Sequence, residues 1–208
     1  MLSELIDLYL GIAANDLPDG ICWIVVQPLS GALSVNEAVT RIGGRPENLR
    51  NMTTLDAYSM SPGNTLSFEE TETAVSILQI GGFAGMFPEM IEPLSRGARA
   101  WVAYWDVNAS FSMLHWVDGS CVGGWDPYEP REGWATGLGP MAQYADFFLR
   151  YDIDDDDQDP NYREAVTLAV IEAEGGIRLD RPWIDREHPT MIVTQGLSVG
   201  LEFSRLDD

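Results

Sequence analysis

The strongest constraint on the fold is the stretch at residues 73–125, where four strand-like runs follow one another closely. The runs are ValSerIleLeuGlnIle, ArgAlaTrpValAlaTyrTrp, PheSerMetLeuHisTrpVal and SerCysValGlyGlyTrp. Aromatic and β-branched residues at this density favour strands, and the short connections between the last three runs favour antiparallel pairing. The stretch therefore predicts a mainly antiparallel sheet with hairpins around residues 98–125.

The last two runs are joined by Asp118-Gly119, a dipeptide typical of a two-residue type I′ hairpin turn. Such a turn fixes which residues face each other across the two strands. It would place His115 opposite Val122 and Trp116 opposite Cys121. We therefore expect His115 inside a strand, as a hydrogen-bonded structural histidine.

Apolar residues at helical spacing predict four or five helices around the sheet. Ser34 and Glu37 form a capping box ahead of one helix. Asp159 is expected to be the N-cap of another helix, with Pro160 at its first position. The remaining helices are predicted after Ser3, after Thr53 and from Pro140 onwards, and residues 88–95 form a short segment in which Met90, Ile91 and Leu94 can share one face.

The fold class that follows is α+β, with a mainly antiparallel central sheet packed by four or five helices. Residues 22–27 form a continuous apolar run that predicts a buried strand, and residues 197–203 alternate as a half-buried strand does. Residues 62–72 predict a polar, turn-rich connection. A chain of 208 residues suits one domain. We expect it to span residues 1–188, with a C-terminal strand or extension at residues 189–208.

The net charge of the chain limits which classes of molecule it can bind. Thirty-three acidic residues face twelve basic ones, which gives a formal net charge of −21. Such a charge repels nucleic-acid phosphates and anionic membranes, so direct binding to either is not expected. No apolar run approaches the ~20 residues of a membrane helix, and no basic region precedes an apolar one near Met1. We therefore expect a cytoplasmic protein.

The sequence contains partial matches to catalytic motifs, but none has the surrounding residues that the motif requires. All twelve basic residues are arginine, which excludes enzymes that need a catalytic or phosphate-binding lysine. GlyLeuSerValGly at residues 196–200 matches the nucleophile-elbow pattern around Ser198, but no helix is predicted after it and no histidine follows. GlyLeuGlyProMetAla at residues 137–142 lacks the preceding strand of a dinucleotide fingerprint. The sequence predicts no catalytic residue and no cofactor, and an enzyme using carboxylates stays an alternative.

Metal-binding patterns are equally weak. Cys22 and Cys121 lie in strand-like runs and are expected to be buried thiols, with a disulfide as the alternative. The two cysteines and the two histidines form no CxxC or HxxxH pair, and His188 lies in ArgGluHisPro, which predicts a surface turn. Core packing is expected for most of the tryptophans, with a groove for a ligand or partner as the alternative. These tryptophans are Trp101, Trp105, Trp116, Trp125 and Trp134.

The run of aspartates at residues 152–159 invites a calcium interpretation, which its spacing contradicts. A loop starting at Asp152 puts Asp157 where an EF-hand needs glycine and Arg163 where it needs glutamate. The run is expected to be a solvated loop or a contact surface for a basic partner. The candidate partner-binding residues are Asp154, Asp155, Asp156 and Asp157, together with Glu69, Glu70 and Glu72.

Several stretches give the chain a resemblance to an actinobacterial family of domains of unknown function. They are residues 22–30, 34–44, 93–127 and 165–179, together with Trp183. The segment from LeuSerArgGly at residues 94–97 to AspGly at residues 118–119 is the most specific. The resemblance implies a single α+β domain and no assigned activity. Such families are often small accessory or immunity-like partners.

These observations favour an acidic cytosolic binding module, an inhibitor, immunity-type or scaffold partner of a more basic protein. Surplus negative charge speeds the encounter with a positive surface. Three alternatives stay open: a binder of a small molecule or peptide on the aromatic sheet face, an enzyme with carboxylate chemistry, and a DNA mimic that contacts a DNA-binding protein.

Overall fold

The computed structural model describes residues 2–127, 137–152, 155, 157–195 and 201–202. Eight of its strands form one sheet in which every neighbouring pair is antiparallel. They are β1 (Ile21–Pro28), β2 (Arg50–Thr53), β3 (Thr65–Glu70), β4 (Val75–Ile80), β5 (Ala98–Trp105), β6 (Phe111–Val117), β7 (Ser120–Trp125) and β8 (Glu187–Ile192). Their order across the sheet is β2-β8-β3-β4-β1-β5-β6-β7. A separate ribbon pairs β9 (Thr194–Gln195) with β10 (Leu201–Glu202).

Seven α-helices occur in the described residues, rather than the four or five predicted. They are α1 (Leu2–Asn15), α2 (Val35–Arg41), α3 (Thr54–Met60), α4 (Pro88–Ser95), α5 (Ala145–Phe148), α6 (Tyr162–Gly175) and α7 (Arg181–Asp185). Trp23 and Trp101 pack with α1, α6 and α7 on one face of the sheet, and Ile24 and Val102 pack with α2 and α4 on the other. The predicted α+β class with its antiparallel sheet is confirmed. No described helix is both long enough and apolar enough to cross a membrane.

The central strand β1 explains why the sequence there is apolar throughout. Its first six residues are all buried. Trp23 and Val25 face the layer of α1 and α6, whereas Cys22, Ile24 and Val26 face α2 and α4. A strand covered on both faces has no solvent-facing side, so its residues do not alternate between apolar and polar.

The predicted connection at residues 62–72 is wrong, because it contains the buried strand β3. Its residues Thr65 to Phe68 are all buried. The hydroxyls of Ser67 and of Thr190 in β8 hydrogen-bond to each other at 3.1 Å, which allows small polar side chains inside the sheet. Serine and threonine resemble turn residues when the partner strand is not known. That partner, β8, was not predicted, and the boundary drawn after residue 188 falls inside it.

Helix α6 begins later than predicted. Asn161 occupies its N-cap position, rather than Asp159. The Asp159 carboxylate instead accepts hydrogen bonds from the backbone N–H of Asn161 at 2.9 Å and from its side-chain amide at 3.2 Å, and so closes a local turn. The helix ends at Gly176, whose φ of 72° is left-handed.

Tyr9 joins α1 to α6 and to the chain that follows it. Its hydroxyl donates to Glu172 at 2.8 Å and accepts the backbone N–H of Leu179 at 3.4 Å. The change Tyr9→Phe leaves that buried N–H without its partner. Because an unpaired buried group costs about 1–3 kcal/mol, we expect the free energy of unfolding in urea to fall by about 1–2 kcal/mol. Tyr58→Phe, at an exposed tyrosine, should change it by less than about 0.5 kcal/mol, and equal losses would contradict this role.

Candidate functional site

The hairpin of β6 and β7 carries an irregularity next to His115. Asp118 and Gly119 have φ values of 48° and 80°, which confirms the predicted type I′ turn. Trp116 lies opposite Cys121 as predicted, but His115 lies opposite Gly123 and not opposite Val122. One extra residue in β7 therefore makes a β-bulge, a feature that is frequent next to functional sites because it redirects side chains.

Glycines allow the chain after β7 to lie directly on this bulge. A Cβ atom at Gly139 would lie 1.9 Å from the Val122 carbonyl oxygen, and one at Gly123 would lie 2.4 Å from that of Leu138. The backbone N–H of Gly124 also donates to the Gly137 carbonyl at 3.1 Å. As a result, a 3₁₀ turn at Gly139–Tyr144 packs against β7, the edge strand of the sheet.

A pocket of about 340 Å³ lies between the sheet, this 3₁₀ turn and the C-terminal end of α6. Strands β5 and β6 pair Trp101 with His115 and Arg99 with Val117, so all four side chains point to the same face. The residues that line the pocket are Arg99, Trp101, His115, Val117, Pro140, Met141, Gln143, Tyr144 and Glu174.

His115 is buried in the wall of this pocket and is not the hydrogen-bonded residue that we expected. The residue is 5% exposed, and its ring stacks on Trp101, with centroids 5.1 Å apart and planes 5° apart. In the described part of the chain, neither of its ring nitrogens has a hydrogen-bond partner, and neither does the indole nitrogen of Trp101. Because buried polar groups are normally paired, this ring is unusual, and the pocket is the space that lies beside it.

The other histidine shows what a structural histidine looks like in this fold. The prediction of His188 in a surface turn is wrong, since it lies buried in β8. Its ring stacks on Trp183 at 3.9 Å, and its Nε2 atom lies 2.7 Å from the Trp183 carbonyl oxygen. Burial and an aromatic neighbour are thus common to both histidines, and the hydrogen bond of the ring distinguishes them.

Charged and neutral polar groups line the same pocket as His115. The Glu174 carboxylate accepts hydrogen bonds from the Tyr144 hydroxyl at 2.5 Å and from the Gln143 amide at 2.9 Å. Burial, followed by this contact with Glu174, raises the pKa of Tyr144 to about 12. Arg99 lines the same pocket, and its side chain is exposed. The site thus contains donors, an acceptor and both signs of charge beside a neutral ring.

Burial lowers the pKa of His115, because a charged ring is disfavoured away from water. The Arg99 guanidinium acts in the same direction and the Glu174 carboxylate opposes it. The imidazole is therefore neutral at pH 7 and offers one donor and one acceptor. This chemistry suits recognition of a hydrogen-bonding ligand.

The lowered pKa of His115 should make the fold less stable in mild acid. The unfolded chain, with a histidine pKa of about 6.5, takes up this proton first as the pH falls. The contribution of His115 is therefore complete above about pH 6.5 and is lost as the pH falls through the lower folded value. We expect proton NMR to give His115 a pKa below 6.5. We also expect His115→Leu to flatten the dependence of the unfolding free energy on pH between about 5 and 7. A folded pKa at or above 6.5 would contradict this.

Nucleophilic chemistry has little support in the described residues. Cys22 is a free thiol, and burial raises its pKa to about 12, which keeps it protonated. Cys121 is also free and half-buried, so the two predicted thiols are present and no disulfide joins them. Burial raises the pKa of Glu164, but this carboxylate pairs with Arg163 at 2.7 Å and does not line the pocket. No group of three metal-ligating side chains occurs among residues that the structure describes.

The candidate partner-binding residues do not form one surface. Glu69 pairs with Arg186 at 2.8 Å, and Glu70 accepts the backbone N–H of Val35 at 2.8 Å at the start of α2. Glu72 is exposed beyond the end of β3. These glutamates lie at the end of the sheet marked by the Glu70–Val75 pair.

Asp155, Asp157 and Asp159 precede α6, whose first turn lies at the other end of the sheet. There Arg163 stacks over Phe111 at 5.3 Å, and Phe111 belongs to the row of residues that contains Ile21 and Ile80. Six residues of β4 separate the two ends, which is about 17 Å at ~3.4 Å per residue. Asp155 and Asp157 are exposed, whereas Asp154, Asp156, Trp134 and Ser198 lie outside the described residues.

Sequence reasoning missed Arg99, Tyr144 and Glu174 as site residues. The short connection between the second and third strand-like runs did place Trp101 and His115 on neighbouring strands, and this was the available indication of the pocket. Glu174 and Tyr144 come from separate segments, so no local spacing relates them. Comparison of the chain with family models, curated proteins and solved structures finds no match. The resemblance to an actinobacterial family therefore stays a prediction.

Proposed function

We propose that this protein is a binding protein whose recognition site is the pocket of His115. The observation that carries the proposal is the buried imidazole in the pocket wall with no hydrogen-bond partner for either nitrogen in the described structure. Leaving such groups unpaired costs about 1–3 kcal/mol each, a cost that a bound molecule or pocket water offsets. The volume of about 340 Å³ suits a small molecule.

Aromatic and aliphatic walls support the same function. Val117 and Pro140 supply accessible apolar surface, Trp101 and Met141 are buried in the wall, and the polar groups of Gln143 and Tyr144 also line the pocket. Small-molecule sites commonly combine an apolar lining with a few placed polar groups. This is the ligand-binding alternative that the aromatic sheet face suggested.

A thermal-shift screen of wild type and His115→Leu tests this function. The probes are free amino acids, nucleosides, organic acids and short peptides. We expect at least one probe to raise the melting temperature of wild type, as a ligand specific for the folded state must. The same probe should leave His115→Leu unchanged. Probes that stabilise both proteins equally, or none that stabilises wild type, would contradict a site at His115.

We propose as a second function that the loop of Asp155, Asp157 and Asp159 contacts a basic protein. The supporting observation is that no basic side chain of the described residues pairs with these three exposed carboxylates. A cytosolic inhibitor or immunity-type role would use such a surface, and the net charge of −21 would speed the encounter.

Capture from native lysate at low salt tests this second function with charge-matched variants. The loop variant replaces Asp155, Asp157 and Asp159 by Asn. The control variant carries Asp7→Asn and Asp19→Asn with Glu47→Gln, and so has the same net charge. We expect wild type and control to retain one basic protein that the loop variant and high salt release. Equal retention by both variants would contradict a site on the loop.

A further inference from the structure

Arg99 and Glu174 line one pocket without forming an ion pair with each other. The ion pairs between described residues engage other arginines with nearby carboxylates. Arg99 is in none of them, although the chain has 33 acidic residues. Glu174 accepts hydrogen bonds from neutral donors and has no cationic partner in the described structure.

The two charges act on His115 from separate elements. Arg99 begins the pocket-facing side of β5, two residues before Trp101, and Glu174 lies near the end of α6. Both are close enough to influence the charge of the His115 ring, and their effects have opposite signs. The pocket thus offers Arg99 to an anionic group of a ligand and Glu174 to a cationic group. The neutral His115 ring lines the same pocket and can form a hydrogen bond.

From this arrangement we propose that the ligand is a small zwitterion, a free α-amino acid or a closely related aminocarboxylate with an apolar side chain. Its carboxylate would bind Arg99, its ammonium group would bind Glu174, and its side chain would pack on Val117 and Pro140, which are accessible in the pocket lining. The proposal deepens the ligand-binding function and rests on it.

The charge of the whole protein favours a zwitterion over an anion. A net charge of −21 repels an anionic ligand, whereas a zwitterion has no net charge to repel. A simple cation would be attracted by the field but would meet Arg99 inside the pocket. The volume of about 340 Å³ holds an amino acid with a large side chain.

Calorimetric titration with chemically matched ligands tests the assignment. The probes are the twenty L-amino acids and, for the tightest of them, its carboxamide, which lacks the carboxylate, and its N-acetyl derivative, which lacks the ammonium group. We expect wild type to prefer the amino acid by about tenfold or more over each derivative, because a charged hydrogen bond is lost in each case.

Two variants assign each charge to its residue. Arg99→Gln should remove the preference over the carboxamide and keep the preference over the N-acetyl derivative, and Glu174→Gln should do the reverse. Arg45→Gln and Glu47→Gln, remote from the pocket, are the charge-matched controls and should leave both preferences unchanged. If each pocket variant weakens all three ligands equally, the pairing is wrong.

The outcomes separate this inference from the function beneath it. If another class of probe binds wild type but not His115→Leu, while no amino acid binds, the zwitterion assignment is overturned and the pocket function stands. If no probe distinguishes wild type from His115→Leu, both are overturned.

Discussion

Alanine at Gly139 is expected to destabilise the protein by about 3 kcal/mol or more, the largest effect of any single methyl group added near the site. The added Cβ would lie 1.9 Å from the Val122 carbonyl oxygen, and φ is 52°, which an L-residue adopts with strain. Relief requires the 3₁₀ turn to move away from β7, which opens one wall of the pocket. The pKa of His115 should then rise toward its ordinary value as the ring becomes hydrated.

Gly176→Ala is the matched control for this change. Gly176 also has a left-handed φ of 72°, but no atom lies within 4 Å of the added Cβ. The substitution should therefore cost only the backbone strain, about 1 kcal/mol, with no change in the pKa of His115. Urea denaturation and proton NMR of both variants measure the two effects. Equal losses of stability would contradict the close approach at Gly139.

Leucine at the two histidines is expected to have different effects on stability. His188→Leu removes the hydrogen bond to the Trp183 carbonyl and leaves that buried oxygen unpaired, so it should cost about 2–3 kcal/mol. His115→Leu removes two buried nitrogens that have no partner in the described structure and replaces them with apolar volume. It should leave stability unchanged or raise it by about 1 kcal/mol.

A stabilising substitution inside a binding site is the signature of a residue kept for function. The comparison is internal, because the chain has only two histidines and both are buried against a tryptophan. Thermal and urea denaturation at pH 7.5 measure both variants. If His115→Leu loses as much stability as His188→Leu, the ring of His115 has a structural role.

The sheet was predictable where local chemistry determines it. A type I′ turn needs positive φ at both central residues, which Asp and Gly adopt more readily than most residues. The β6–β7 turn could therefore be predicted from Asp118-Gly119 alone. The central strand β1 was recognisable because burial on both faces requires a continuous apolar run. By contrast, β3 and β8 bury Ser67 and Thr190 against each other, a pairing across 123 residues of sequence separation that no local pattern reveals.

The site was less predictable because long-range packing assembles it. The one-residue shift that puts His115 opposite Gly123 comes from a bulge, which the turn dipeptide does not encode. Glu174 is the penultimate residue of α6 and reaches Tyr144 across 30 residues of sequence separation. Gly123 and Gly139 were visible in the sequence. The structural requirement for glycine at these positions arises from a close approach between two segments, which the sequence does not show.

The positions of the acidic residues limit which of them could bind a basic partner. Glu69 and Glu70 are engaged by Arg186 and by the N-terminus of α2, so they serve contacts within the fold. Asp155 and Asp157 are exposed at the other end of the sheet. If the protein binds a basic partner, we expect that partner to contact Asp155 and Asp157 and not the glutamates of β3.

The most direct test of the central claim is nitrogen-15 NMR of the His115 ring before and after addition of the tightest probe. If the pocket is the recognition site, one ring nitrogen of His115 gains a hydrogen bond and its chemical shift moves, whereas the His188 nitrogens stay where they are. A ligand that binds while the His115 signals remain unchanged would contradict the claim, because the imidazole would then have no part in recognition.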